Sequence, residues 1–305
     1  MNDLFGKENG MREFIFGTDW WTDCDDLAAM RILLRAHKAG EIRLLGVGIN
    51  ACIEYSAASV DGFISLEGVR DIPLGIDING TDFEGTHLKY QKNLAPFAVK
   101  YKRNEDAEDA VRLYRRLLSE SNGRVHIVEV GFLQAFAGLL KSEPDDISPL
   151  NGVELVRKKA EKVWVMAGKW DEEGGREHNF CNNRRSREGG EAFCRLCPVP
   201  VTFLGFEVGE KVISGNELSH DDFLYKAFSE HGSARGRCSW DPMTALLALI
   251  GDEERAGFDT VTGKARLDDE TGRNYFSEDE NGPHKFVIPK YENDYYAEMI
   301  NSRIN

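Results

Sequence analysis

Short runs of β-branched and aromatic residues alternate with longer stretches of helical spacing over the first two-thirds of the chain, beginning with residues 14–18, then 25–39, then 43–48. A chain that repeats this strand, helix, strand unit must run its strands parallel, because each crossover returns it to the starting end of the sheet. Further strand candidates are 72–76, 125–130, 162–166 and 199–204, separated by helical stretches at 56–67, 105–121, 134–141, 153–160 and 188–196. The first helix carries Leu27, Met30, Leu33, Leu34 and His37 on one side, and Gly40 follows as its stop. The rhythm predicts an α/β fold, one domain over residues 1–305, with a mostly parallel central sheet and helices on both faces. After Gly215 the pattern changes to a helix at 241–250, a polar, hairpin-like segment around 255–290 and a closing helix at 295–304.

Composition narrows the function classes. Of the 305 residues 41% are hydrophobic, 10% are aromatic and only 9 are proline, enough to fill one sizeable core and too apolar for disorder. Lys and Arg number 38 against 52 Asp and Glu, and the net charge of −14 repels phosphate backbones and anionic headgroups alike. Nucleic-acid and membrane-surface partners are therefore not expected. The first residues lack an apolar signal core and runs such as 245–250 are too short to cross a bilayer, so the expected location is the cytoplasm. In that compartment the six cysteines are reduced thiols. His178, Cys181, Cys194 and Cys197 share a zinc-like spacing, but the two cysteines three apart are read as packing residues of an amphipathic helix, with no zinc expected there.

The first strand runs directly into Asp19-Trp20-Trp21-Thr22-Asp23-Cys24-Asp25-Asp26, which places four carboxylates within eight residues. They fall at a strand's carboxyl end, where ligands sit in parallel sheets. Their mutual repulsion calls for a compensating charge, and a hard divalent cation with oxygen ligands supplies it. Capping of the following helix accounts for one or two of these aspartates, not for four.

The same segment resembles the Asp-rich loop, D-x-D-P-G-x-D-D-A, of the inosine-uridine preferring nucleoside hydrolase family. Thr18-Asp19 and Asp25-Asp26-Leu27-Ala28 match its two ends, with a two-residue insertion between them and Gly17 at the family's earlier Asp. Further landmarks keep the family's order: Gly46-Val47-Gly48-Ile49-Asn50, Val130-Gly131-Phe132-Leu133-Gln134, Met166-Ala167-Gly168 followed by Glu177-His178-Asn179-Phe180, then Pro198-Val199-Pro200-Val201 with Gly205, and finally Ser239-Trp240-Asp241-Pro242. The resemblance covers residues 12–290 and implies the family's Rossmann-like core.

It also implies roles. Asp19, Asp26, Asp241 and the Val130 carbonyl would hold a Ca²⁺, with Asp19 doubling as general base towards the attacking water. Asp25 would accept hydrogen bonds from ribose hydroxyls, and Asn50, Glu177 and Asn179 would bind other sugar edges, since amides and carboxylates pair well with diols. Trp240 stands where many members carry a proton-donating histidine; it has no proton to transfer and is a base-pocket candidate, as are Trp20, Trp21 and Trp170. His87 falls in a segment where the family often has an active-site His-Gly. The implied activity is Ca²⁺-dependent hydrolysis of the N-glycosidic bond of ribonucleosides, purine ahead of pyrimidine, by a homodimer or homotetramer. Two alternatives stand beside it: a non-catalytic nucleoside or sugar binder on the same fold, and a Mg²⁺-dependent phosphohydrolase with a strand-end aspartate as nucleophile.

Overall fold

Phe14 and Phe16 of the first strand, β1 (Arg12–Thr18), point into one apolar layer and Ile15 into the other, all three fully buried. That alternation without a polar face is the mark of a strand covered on both sides. The computed structural model describes residues 11–83 and 89–305. Within them the parallel strands are β1, β2 (Ile42–Ile49), β3 (Leu74–Ile76), β4 (Glu108–Asp109), β5 (Val125–Glu129), β6 (Ala160–Met166) and β7 (Val201–Leu204). A short antiparallel ribbon follows, β8 (Ile213–Ser214) with β9 (Arg237–Cys238). The chain returns to the main sheet as β10 (Phe258–Leu267), β11 (Asn274–Glu278) and β12 (His284–Pro289).

The sheet has the order β11-β10-β12-β7-β6-β5-β1-β2-β3-β4. The expected hairpin is thus the sheet's own edge: β10 pairs antiparallel with β11 and β12, and β12 lies parallel to β7. Helices Asp25–Lys38, Ser56–Leu66, Trp240–Ile250 and Asn293–Ile304 pack on the Phe14 side, and helices Ala110–Glu120, Gln134–Lys141 and Arg184–Leu196 on the Ile15 side. Among the described residues no helix is long and apolar enough to cross a membrane.

Differences from the sequence reading have local causes. The helix expected from 105 begins at Ala110, because the Asp109 carboxylate accepts from the Arg112 amide at 3.0 Å and caps it there. The strand expected from 199 begins at Val201, after Pro200, whose ring leaves no N–H to donate to a ladder. Helix Phe223–His231 and the β8/β9 ribbon have no counterpart in the sequence reading.

From β1 the chain steps one way through β2 and β3, and from β5 it steps the other way through β6 and β7. The crevice above the carboxyl ends of β1 and β5 is therefore the topological switch point, where open α/β sheets bind ligands.

Candidate active site and metal centre

A cavity of about 270 Å³ opens at that switch point. Its wall includes Asp19, Asp25, Asp26, Val130, Glu177, Asn179, Trp240 and Asp241, eight of the residues singled out from the sequence. Asn50 is fully buried behind Asp19 rather than in the cavity wall, and His87 lies outside the described residues.

The loop after β1 is fixed from below. Trp20 is wholly buried, with its indole N–H donating to Ser59 Oγ at 2.9 Å and its ring edge-on to Phe63 and Tyr90. This anchoring holds Trp20 at φ 50°, a left-handed conformation that costs a non-glycine residue ~1–3 kcal/mol. Gln91 donates to the Trp21 carbonyl at 2.7 Å and Tyr90 to the Asp23 carbonyl at 2.7 Å, so the insertion is clamped rather than loose. Trp20 is accordingly a core anchor and not a base-pocket wall. Trp21 packs against Phe83, and Trp170 against Phe203 and Phe286, so neither joins the cavity lining.

With the loop anchored, its carboxylates converge. Asp26 accepts from the Thr18 hydroxyl and from the Trp20 amide, and Asp19 accepts from the Trp21 amide at 3.0 Å. Asp241 reaches them from the opposite end of the chain, its main-chain amide donating to Asp25 at 3.1 Å. An aspartate this near a helix start would ordinarily cap it. Instead Ser239 is the capping position, the helix begins at Trp240, and Asp241 sits one residue inside, carboxylate turned to the cluster. Oxygens of Asp25, Asp26 and Asp241 lie within 4.8 Å of one another, all buried. Gly131 lets β5 exit beneath them: a Cβ there would overlap the Asp19 amide nitrogen and crowd the Asn50 amide.

Burial, and then the charge of the neighbouring carboxylates, holds Asp19, Asp25, Asp26 and Asp241 well above the ordinary carboxylate range. Glu177, which accepts from the Gly168 and Asn179 amides at 3.0 and 2.7 Å, is pushed by burial up to about 7. Stacking negative groups without a counterion costs free energy, and an oxygen-liganded divalent cation removes that cost. The donor set fits a hard cation: carboxylates alone, with the Val130 carbonyl beside them in the wall. Asn179 donates to that carbonyl at 3.0 Å and to the Met166 carbonyl at 2.9 Å, tying the ends of β5 and β6 together. Asn50 presents a buried amide with neither its nitrogen nor its oxygen paired, beside Gly131 and Asp19.

The upper wall is aromatic. Trp240 donates its indole N–H to the Phe206 carbonyl at 2.7 Å and stacks on the Phe206 ring, centroids 5.3 Å apart. The Arg237 guanidinium lies 5.3 Å from the Trp240 ring and grips Asp23 through Nε at 2.8 Å. Arg237, Phe206 and His178 all line the cavity and none was found by sequence reasoning as a cavity residue. His178 lies inside the Glu177–Phe180 landmark and Phe206 follows Gly205, but neither carries a role there, and Arg237 stands three residues before Trp240. Cys194 and Cys197 are buried in the core and their thiols are pushed up by burial, that of Cys197 to about 12.

No family model and no curated protein matches this sequence. Solved structures do match in fold. An inosine-uridine preferring nucleoside hydrolase from Bacillus anthracis superposes with a TM-score of 0.66 at 15% identity, over 96% of this chain and 99% of that one. The type III effector protein XopQ, solved in complex with adenosine diphosphate ribose, superposes with a TM-score of 0.67 at 14% identity, over 100% of this chain and 98% of that one. The chain thus has the fold of these proteins, with a mostly parallel central sheet between two helical layers.

Proposed function

We propose that this protein hydrolyses the N-glycosidic bond of ribonucleosides with the help of Ca²⁺. The observation that carries the reading is the convergence of Asp25, Asp26 and Asp241 oxygens within 4.8 Å, from two remote segments, at the switch point of the sheet. Asp26 and Asp241, joined by Asp19 and the Val130 carbonyl, would hold the cation, which when bound supplies Lewis acidity at the floor of the cavity. Asp19 would take the proton of the attacking water. Asp25, Glu177 and Asn179 would hold the ribose diol.

The base would lie against Trp240 and Phe206. The Trp240 N–H is committed to the Phe206 carbonyl, so this wall stacks and does not protonate. His178, at the exposed side of the cavity, is the titratable group placed to deliver a proton to a departing base.

A second reading is a binder of nucleosides or adenosine diphosphate ribose that does not turn them over. It draws on Trp240 in the aromatic wall and on the ligand of the XopQ structure. One experiment separates the two. Purified protein with Ca²⁺ is incubated with inosine, adenosine, uridine and p-nitrophenyl riboside while reducing sugar and phosphate are measured and binding is followed calorimetrically. Free ribose supports the hydrolase, and binding without any sugar release supports the binder. Phosphate release from added phosphate esters would overturn both.

A further inference from the structure

A second group of metal-capable side chains lies beside the carboxylate floor and has a different chemistry. Asp23 Oδ, Cys24 Sγ and a ring nitrogen of His231 all come within 4.8 Å of one another. Asp23 and Cys24 belong to the clamped loop after β1, whereas His231 ends helix Phe223–His231 far along the chain. The three are a hard oxygen, a borderline nitrogen and a soft sulfur, the mixed donor set that favours Zn²⁺ over Ca²⁺.

Each donor is oriented by a partner of its own. His231 Nδ1 is 2.8 Å from Ser233 Oγ, which leaves Nε2 turned inward, 3.7 Å from Asp23 Oδ1. Ser233 also lies beside Cys24, where its hydroxyl favours the thiolate. The Arg237 guanidinium holds Asp23 in a two-point grip, and a carboxylate with about four lone-pair sites keeps capacity for a further ligand. Outer partners of this kind are what fix the ligands of metal sites.

We propose that Asp23, Cys24 and His231 form a second cation site, specific for a borderline transition ion such as Zn²⁺ and distinct from the carboxylate site that includes Asp26 and Asp241. Ligand atoms about 2.0–2.3 Å from a tetrahedral zinc sit closer together than 4.8 Å, so binding draws the three inward by side-chain movement alone. Asp23 and Arg237 also line the cavity, so the fourth position opens to the substrate chamber. The site stands whether or not the protein hydrolyses nucleosides.

The test is metal titration of the full chain, stripped of metal and then kept in saturating Ca²⁺ so that the carboxylate site is filled. Co²⁺ is the probe, since thiolate ligation gives it a charge-transfer absorption that oxygen ligands do not. One equivalent of Co²⁺ should produce this band, and Zn²⁺ should displace it. Cys24→Ser should abolish the band, His231→Gln should weaken Co²⁺ binding at least tenfold, and Ser233→Ala should weaken it by ~10–100-fold. Cys238→Ser and Asp241→Asn should leave the band in place. No thiolate band, a band that survives Cys24→Ser, or a band lost with Cys238→Ser would each overturn the assignment.

Discussion

The floor of the cavity and its upper wall satisfy their polar groups in opposite ways. On the floor Asp19, Asp25, Asp26 and Asp241 crowd together, and the arginine of the cavity wall, Arg237, is committed to Asp23. In the upper wall Trp240 gives its N–H to the Phe206 carbonyl, and Arg237 pairs with Asp23. The upper wall thus pairs its polar groups within the protein, while the floor gathers carboxylates that could hold a cation. Stability and chemistry should depend on metal where the carboxylates meet and be indifferent to it where the rings stack.

The largest expected effect lies on the floor. Asp19→Asn keeps the volume but removes the base, and should lower nucleoside turnover by ~10²–10⁴-fold with little change in the binding of a nucleoside followed calorimetrically. Next comes the cation itself. Ca²⁺ at about 100 times its dissociation constant should stabilise the parent by ~2.7 kcal/mol, read as a rise in melting temperature. Asp241→Asn should remove that increment and, because it relieves repulsion, make the metal-free protein more stable than the parent. A variant that loses stability both with and without Ca²⁺ would break the contrast.

A pH titration sharpens it further. A carboxyl whose folded-state pKa is raised stays protonated on folding while the unfolded chain ionises, so stability falls as pH climbs from the ordinary value to the raised one. For Glu177 that window runs from 4.5 to about 7. Metal-free protein should therefore lose stability across it, and Glu177→Gln should flatten the fall by about 3 kcal/mol, measured by urea unfolding at each pH. The smallest effect belongs to the upper wall. Trp240→Ala removes a stack worth ~0.5–1.5 kcal/mol beyond burial, and should slow inosine cleavage by roughly 2–12-fold while leaving p-nitrophenyl riboside, whose leaving group needs no help, nearly unchanged. Equal loss on both substrates would mean that Trp240 shapes the ribose site instead.

Sequence legibility follows the same division. Asp19, Asp25 and Asp26 were visible because a strand end and a helix start force them into one loop, and proximity along the chain is proximity in space. The βα rhythm likewise exposed the parallel sheet, including β1, β2, β5 and β6. Arg237 and Phe206 carried no comparable signal, and His178 appeared only within a landmark that gave it no role, since each gains meaning only from neighbours brought by other elements. The cysteine spacing that looked most like a zinc motif, around Cys194 and Cys197, leads into the core, whereas the mixed donor set forms from Asp23, Cys24 and His231, which no spacing connects.

By itself the sequence determined periodicity and local charge: which stretches are strands, which are helices, and that four carboxylates must share one turn. Tertiary structure decided everything that depends on crossing the chain. It brought Asp241 onto Asp25, sank Trp20 into the core to clamp the insertion, and carried the 255–290 segment onto the edge of the main sheet. The physical reason is that a pattern of period two or 3.6 specifies which face of an element is buried, but not what it is buried against. That choice is made by the packing of all the faces at once.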